Sequence, residues 1–252
     1  MNRRTLTLAG KSDRVCAVAP QNLSMNSRKA LLALLLLVPA QSIATAAFFW
    51  WADTAAGKTI VVLCRLWLVL LPAAWLKFVD HGQWSWSPPK LGGFRMAVVL
   101  GLAIAAVIFA ADAIATHLGV MHPEQVADSA ARTGLNRLGI YLAGALYWIT
   151  FNSLTEEYIW RWFVFRKFEV LLGGKRAVPA AALAFTAHHV IVLVAQFDWP
   201  IALLGSCGVF IGGAAWSWLY LRYRSIWPGY VSHAIADAAI FIIGYRLIFC
   251  GT

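Results

Sequence analysis

Charged side chains are scarce in this chain of 252 residues. Asp and Glu together number 11, charged residues make up 13% of the sequence, and hydrophobic residues make up 61%. A soluble domain carries about 25% charged residues, so the composition excludes a soluble globular protein and indicates an integral membrane protein. The sequence therefore predicts an all-α, polytopic, multi-pass membrane protein.

Cysteine pairs are also lacking. The four cysteines have no CxxC spacing, and two of them lie inside apolar segments; they are Cys16, Cys64, Cys207 and Cys250. This pattern indicates neither a zinc knuckle nor a disulfide framework. No internal repeat and no low-complexity tract divides the chain, so we expect residues 29–250 to form a single transmembrane helical domain.

Apolar windows of about 20 residues, the length of one transmembrane helix, occur about seven times, with six to eight as the range. The predicted spans lie near 30–51, 59–79, 96–117, 138–158, 178–197, 200–221 and 227–249. The fourth span is expected to continue through Glu156 and Glu157 as one long or tilted helix towards Leu171. An eighth, re-entrant segment is an alternative.

Residues 1–28 are polar, basic and poor in aromatics, which is typical of a disordered tail. Met25 is an alternative start, and the sequence from there imitates a cleavable signal peptide ending near Ala44-Thr45-Ala46. An uncleaved first span is favoured, because the apolar run continues beyond that point to Trp51, which suits the far membrane interface.

Lysine and arginine fall mainly on one side of the predicted spans. That side carries Arg3, Arg4, Lys11, Arg14, Arg28, Lys29, Lys77, Lys90, Arg95, Arg161, Arg166, Lys167, Lys175, Arg176, Arg222 and Arg224. Only Lys58, Arg132 and Arg137 fall opposite, so the positive-inside bias predicts a cytoplasmic N-terminus. The net charge of +10 then reflects topology and contact with the anionic lipid bilayer, with no nucleic-acid partner. Compact size and short loops favour a bacterial inner (plasma) membrane.

Ionisable side chains at membrane depth usually pair, line a wet cavity or carry function, because burying them there is costly. In the second half of the chain they are concentrated in three segments, which contain Glu156 and Glu157, His188 and His189, and His233 and Asp237. In the first three spans Asp112 and Arg65 are the exceptions, and they either pair structurally or line a cavity.

Helical spacing assigns faces to these groups. Glu157 and Arg161 share a face, so the guanidinium neutralises one carboxylate and leaves Glu156 free. Adjacent histidines diverge on a helix, so at most one of His188 and His189 is expected to share a site with Glu156. His233 and Asp237 again share a face.

Each of these features alone has an ordinary structural explanation, as an acid–base cluster at a helix end or as a hydrogen-bonded packing histidine. Together they predict three helices packed around a polar cavity. A carboxylate acting as general base, a histidine holding a water molecule, and further groups stabilising an oxyanion suit the hydrolysis of a substrate in the membrane.

Three ordered motifs carry a resemblance to a known family. Glu156-Glu157-Tyr158-Ile159-Trp160-Arg161 resembles EExxxR, Phe185-Thr186-Ala187-His188-His189 resembles FxxxH and selects His189, and His233-Ala234-Ile235-Ala236-Asp237 resembles HxxxN/D. These motifs are similar to those of the CAAX protease and bacteriocin-processing (CPBP or Abi) family, which includes the type II CAAX prenyl endopeptidases. The resemblance covers roughly residues 150–240. It implies a protease-like core at about 138–245, formed by the last four spans.

The resemblance also implies roles. Glu156 and His189 would activate water in an intramembrane glutamate-type endopeptidase, and His233 with residue 237 would stabilise the oxyanion. Glu157 and Arg161 would be supporting residues. Asp237 stands where many relatives have Asn, and an ionised Asp cannot donate a hydrogen bond. Either it stays protonated, or it orients His233, or the site holds a metal. The favoured mechanism uses no cofactor; a divalent metal such as zinc, held by Glu, His, His and Asp, is the alternative.

Two other classes of function remain open. A proton-relay transporter could use the same groups, although seven spans without a two-fold repeat argue against it. A non-catalytic scaffold or immunity-type protein would have no need to retain costly buried charges. For the protease, the expected substrate is a membrane-anchored or lipidated protein or peptide, and the sequence leaves open whether prenylation is involved.

Overall fold

The structure is a computed structural model that describes residues 27–250. The predicted tail at 1–28 therefore lies outside the described residues, except for its last two positions, which already belong to the first helix. Within 27–250 all regular structure is helical, without a β-strand. The prediction of an all-α polytopic membrane protein is confirmed.

Six of the predicted spans appear as helices long and apolar enough to cross a membrane. They are α1 (Ser27–Trp50), α2 (Ala55–Phe78), α3 (Phe94–His117), α8 (Gly174–Gln196), α9 (Trp199–Tyr223) and α10 (Ile226–Tyr245), the last continued by a π-helical turn (Arg246–Cys250). A short helix, α4 (Pro123–Thr133), follows α3.

The remaining predicted span belongs to a long helix that changes its winding several times. Helical residues run without interruption through α5 (Leu138–Tyr147), a π-helical turn (Trp148–Asn152), α6 (Ser153–Glu156), a second π segment (Glu157–Phe165) and α7 (Arg166–Leu172). We call 138–172 the broken helix. The expectation of a long helix towards Leu171 is correct. π-Helical turns are rare and frequently mark functional sites, and here they flank Glu156.

One end of the bundle is held together by polar contacts between connections. Lys167 Nζ lies 2.6 Å from Asp80 Oδ2, and the Ser225 hydroxyl donates to the carbonyl of Ser87 over 2.6 Å. Arg224 donates two hydrogen bonds to Glu169, of 2.7 and 2.8 Å. These hydrogen bonds raise the pKa of Arg224, so its guanidinium stays charged. The ends of α2, α7 and α9 therefore lie together.

The opposite end gathers α4 with the ends of α8 and α10. The Gln125 amide donates to Asp198 over 2.6 Å. Arg246 makes two hydrogen bonds to Asp112, of 2.8 and 3.0 Å. Of the two alternatives for Asp112, the structure shows a structural pair, and its partner comes from the π-helical turn after α10.

Small residues bring the site-bearing helices close together. A β-carbon on Gly213 of α9 would lie 3.0 Å from the ring of Phe185 on α8, and one on Gly101 of α3 would lie 3.0 Å from Ile235 on α10. Close approach at small residues is the usual way in which membrane helices pack. The fully buried Trp160 and Phe165 of the broken helix pack into the same core. The division into a tail and one domain stays a prediction.

Candidate active site

His233 on α10 is the meeting point of the acidic side chains. Its Nδ1 lies 3.1 Å from Glu157 Oε1. Its Nε2 lies 3.6 Å from Glu156 Oε2 and 3.8 Å from Asp237 Oδ1. A carboxylate only accepts hydrogen bonds, so Nδ1 carries a proton and donates a hydrogen bond to Glu157. Nε2 then faces Glu156 and Asp237 at distances too long for hydrogen bonds.

The ring of His233 is fixed by an aromatic neighbour. Trp216 of α9 stacks on it with ring centroids 3.8 Å apart and an interplanar angle of 16°. The Trp216 indole N–H donates to the Ser232 hydroxyl over 3.2 Å, which holds the indole in place. The stacking and the bond to Glu157 together leave His233 little rotational freedom.

Glu157 and Arg161 form a fully buried ion pair beneath His233. An oxygen of Glu157 lies 3.4 Å from Arg161 Nη1, and the side chains are 0% and 1% exposed. The guanidinium also donates to the Gly213 carbonyl over 3.3 Å and lies over the Phe185 ring, 4.6 Å from its centroid. Glu157 is thereby neutralised, as its spacing from Arg161 predicted, while Glu156 has no cation at this distance among the described residues.

The backbone of α10 passes close to Glu157. A β-carbon on Gly229 would collide with the Glu157 carboxylate. Glycine at 229 therefore allows the helix carrying His233 to approach the broken helix.

Asp237 is anchored by a residue that the sequence motifs did not identify. The Ser153 hydroxyl lies 2.6 Å from Asp237 Oδ2 and 2.8 Å from the carbonyl of Trp148. Ser153 is fully buried at the first position after the π-helical turn. A serine within an apolar helix usually bonds to a preceding carbonyl, so the sequence carried no signal for its contact with α10.

The two histidines of α8 both approach Glu156. One polar atom each from Glu156, His188 and His189 lie within 4.8 Å of one another. The expectation that at most one imidazole shares a site with Glu156 is therefore wrong. The two rings are inclined by 45°, but their centroids lie only 4.0 Å apart. A nitrogen of each ring therefore lies within 4.8 Å of an oxygen of the same carboxylate.

His189 and His188 differ in their own partners. His189 Nδ1 lies 3.0 Å from the Phe185 carbonyl, and because a carbonyl only accepts, this nitrogen carries the proton. His188 stacks on Trp160 with centroids 5.2 Å apart and an angle of 9°, and neither of its ring nitrogens has a hydrogen-bond partner among the described residues.

The same three side chains offer the carboxylate oxygen and imidazole nitrogens that zinc accepts. This set differs from the zinc set expected from the sequence, because it contains His188 in place of His233 and Asp237. Carboxylates beside imidazoles, inside a bundle of membrane helices, form the type of site that activates water.

The comparison with known families agrees with the motifs. The family model described as type II CAAX prenyl endopeptidase Rce1-like matches residues 138–239, a segment that contains all three motifs. This segment is therefore similar to the type II CAAX prenyl endopeptidases, and the match supports a CAAX-type protease of the membrane as the general class of the protein. No curated protein and no solved structure shows a significant match to the chain.

Proposed function

We propose that the chain is an intramembrane endopeptidase that hydrolyses a peptide bond in a membrane-anchored or lipidated protein or peptide. The observation that carries the proposal is the convergence of Glu156, Glu157 and Asp237 on the single imidazole of His233. A purely structural ion-pair network has no need of the second carboxylate, Glu156, which Arg161 leaves unneutralised.

In this reaction Glu156 is the general base. It accepts one proton from a water molecule while the water oxygen forms a bond to the carbonyl carbon of the substrate. The tetrahedral intermediate then collapses, the carbon–nitrogen bond breaks, and the proton held by Glu156 passes to the leaving nitrogen. His189 donates Nδ1–H to Phe185, so its Nε2 offers a lone pair that accepts a hydrogen bond from the same water.

His233 stabilises the negative oxygen of the intermediate. Because Nδ1–H is committed to Glu157, the imidazole donates from Nε2 only as an imidazolium. The stacked Trp216 ring favours that charged form through the attraction between a cation and an aromatic face. The carboxylates of Glu156 and Asp237 on the Nε2 side favour it as well.

Asp237 acts by orienting His233. It does not serve as a protonated donor to the oxyanion or as a metal ligand in this proposal. Its Oδ2 is bound to Ser153, and its Oδ1 is the oxygen that faces His233 Nε2. With Oδ2 held by Ser153, Oδ1 can accept from the His233 imidazolium, which assigns Asp237 to the support of His233. The oxyanion contact in this proposal falls to His233.

Access to the site fits a substrate within the bilayer or at its surface. The side chains of Glu156 and Asp237 are 12% and 22% exposed, whereas those of Glu157 and His233 are almost fully buried. The general base Glu156 is thus reachable from outside the protein, whereas Glu157 beneath His233 is not. Basic residues are concentrated at the end of the bundle that carries Lys167 and Arg224, which favours a cytoplasmic location for that end and for the N-terminus.

The test is a comparison of membrane-protein termini in cells that carry the wild-type chain, Glu156→Gln or His233→Ala at equal abundance. The matched control is Glu124→Gln, which makes the same chemical change at a side chain that is 71% exposed on α4. New termini that appear with wild type and the control, and disappear with both site variants, support the protease. Identical termini in all four strains would favour the scaffold or the proton relay.

A further inference from the structure

His188 is an unexplained polar group beside the proposed site. It is 3% exposed, its ring lies flat on Trp160, and the Phe185 ring meets it edge-on at 5.5 Å. A phenylalanine would fill this aromatic slot without a desolvation penalty. A neutral imidazole instead brings one N–H and one lone pair, and neither finds a partner among the described residues.

Such a pair of unsatisfied groups is costly. Leaving one buried donor or acceptor without a partner costs about 1–3 kcal/mol, and nearly all buried polar groups in folded proteins have a partner in the protein or in ordered water. A small polar ligand bound to one nitrogen of His188 would reduce this cost.

The geometry locates that ligand. Polar atoms of Glu156, His188 and His189 lie within 4.8 Å of one another. Two atoms bridged by one water molecule stand up to about 5.6 Å apart, twice a hydrogen-bond length of about 2.8 Å. One water molecule can therefore reach all three groups, and three polar partners is the usual number for a buried water.

We propose that His188 holds the attacking water together with Glu156 and His189, so that it is a further catalytic residue outside the FxxxH motif. This inference rests on the proposed function. The water donates one hydrogen bond to the Glu156 carboxylate and the other to Nε2 of His189. His188 donates its N–H to one lone pair of the water oxygen. The second lone pair is then left free and oriented for attack on the substrate carbonyl.

The test uses the full chain in lipid nanodiscs, as wild type and as His188→Phe, which keeps the stacking on Trp160 and removes both nitrogens. A high-resolution cryo-electron microscopy map of each shows whether a solvent peak lies among the three groups. The matched control is His117→Phe, the same change at an exposed position on α3. Thermal unfolding and the site-dependent cellular termini are measured for all three chains.

The proposal expects a solvent peak within hydrogen-bond distance of all three side chains in wild type, which is lost or displaced in His188→Phe. It also expects an equal or higher Tm for His188→Phe, with cleavage at least about tenfold lower. A histidine that only packs would instead keep full cleavage as phenylalanine, and that result would overturn the proposal. A wild-type map without the solvent peak would overturn it too.

Two further results distinguish a wrong ligand from a wrong function. The first concerns whether the ligand is water or a metal, and the second whether the site cleaves peptides. Stoichiometric zinc in wild type that is absent from His188→Phe would overturn the assignment of water and replace it by a metal. A solvent peak at the three side chains with no wild-type-specific termini would refute the proposed protease and the catalytic role of His188. The three side chains would then bind a water molecule without catalysing peptide hydrolysis.

Discussion

His233 Nδ1 lies 3.1 Å from Glu157 Oε1, on a carboxylate that also faces the Arg161 guanidinium at 3.4 Å. The adjacent acid, Glu156, faces the other nitrogen of the same imidazole. Two neighbouring glutamates thus face the two nitrogens of one imidazole, and arginine neutralises only Glu157. This arrangement separates a supporting carboxylate from a reacting one.

Replacing Glu157 by Gln should destabilise the protein strongly. The change leaves the Arg161 guanidinium buried without its counter-charge, and breaking a buried pair in this way costs about 3–5 kcal/mol. The double variant Glu157→Gln with Arg161→Met should recover much of the loss, because the methionine fits against Phe185 and carries no charge. Thermal unfolding in detergent measures both, and an unchanged Tm for the single variant would contradict the role given to this pair.

Replacing Gly229 by Ala should disturb the ion pair of Glu157 and Arg161 from the α10 side. The added methyl group collides with the Glu157 carboxylate, so α10 must move away from the broken helix, and His233 moves with it. We expect a lower Tm and loss of cleavage. Gly208→Ala on α9 is the control, since a β-carbon there meets nothing within 4 Å. Equal behaviour of the two variants would show that the close approach at Gly229 is unimportant.

Asp237→Asn should be tolerated, with cleavage within about tenfold of wild type. The asparagine amide can donate to Ser153, which in turn donates to the Trp148 carbonyl, and the asparagine oxygen still faces His233. Asp237→Leu keeps a similar volume but provides no acceptor, so cleavage should fall by about 10²-fold or more. Rates that fall equally in both variants would mean that the negative charge itself is needed.

The bundle should be oriented with the Lys167 and Arg224 end in the cytoplasm. In a background without native cysteines, Lys90→Cys should be labelled by a membrane-impermeant thiol reagent only from the cytoplasmic side, and Arg132→Cys only from the outside. Both positions are exposed and lie at opposite ends of the bundle. The reverse labelling pattern would invert the topology and place Glu156 nearer the outer surface.

Much of the fold was predictable from the sequence because the apolar runs are long and poorly interrupted by charge. Six spans lie within a few residues of their predicted ranges. The continuous helix from Leu138 to Leu172 was predicted as well, but its π-helical turns were not, since their composition does not differ from that of an ordinary apolar helix.

The candidate site was predictable to the extent that residue type and spacing identify it. The pairing of Glu157 with Arg161 follows from their separation of four positions. Ser153 and Asp237 are 84 positions apart in the chain, and no local sequence pattern predicts their contact. The approach of both His188 and His189 to Glu156 depends on how closely α8 packs on the broken helix, which spacing along one helix cannot reveal. The partner of Asp112 was hidden for the same reason.

Glu156 is proposed to activate the water that cuts a peptide bond. The most direct test of this role uses purified full chain in proteoliposomes and a synthetic peptide that spans a cut found only in wild-type cells, with the released fragment measured by mass spectrometry. We expect cleavage at that bond by wild type and a fall of at least about 10²-fold for Glu156→Gln at unchanged Tm. Equal fragment release by the two proteins would contradict it.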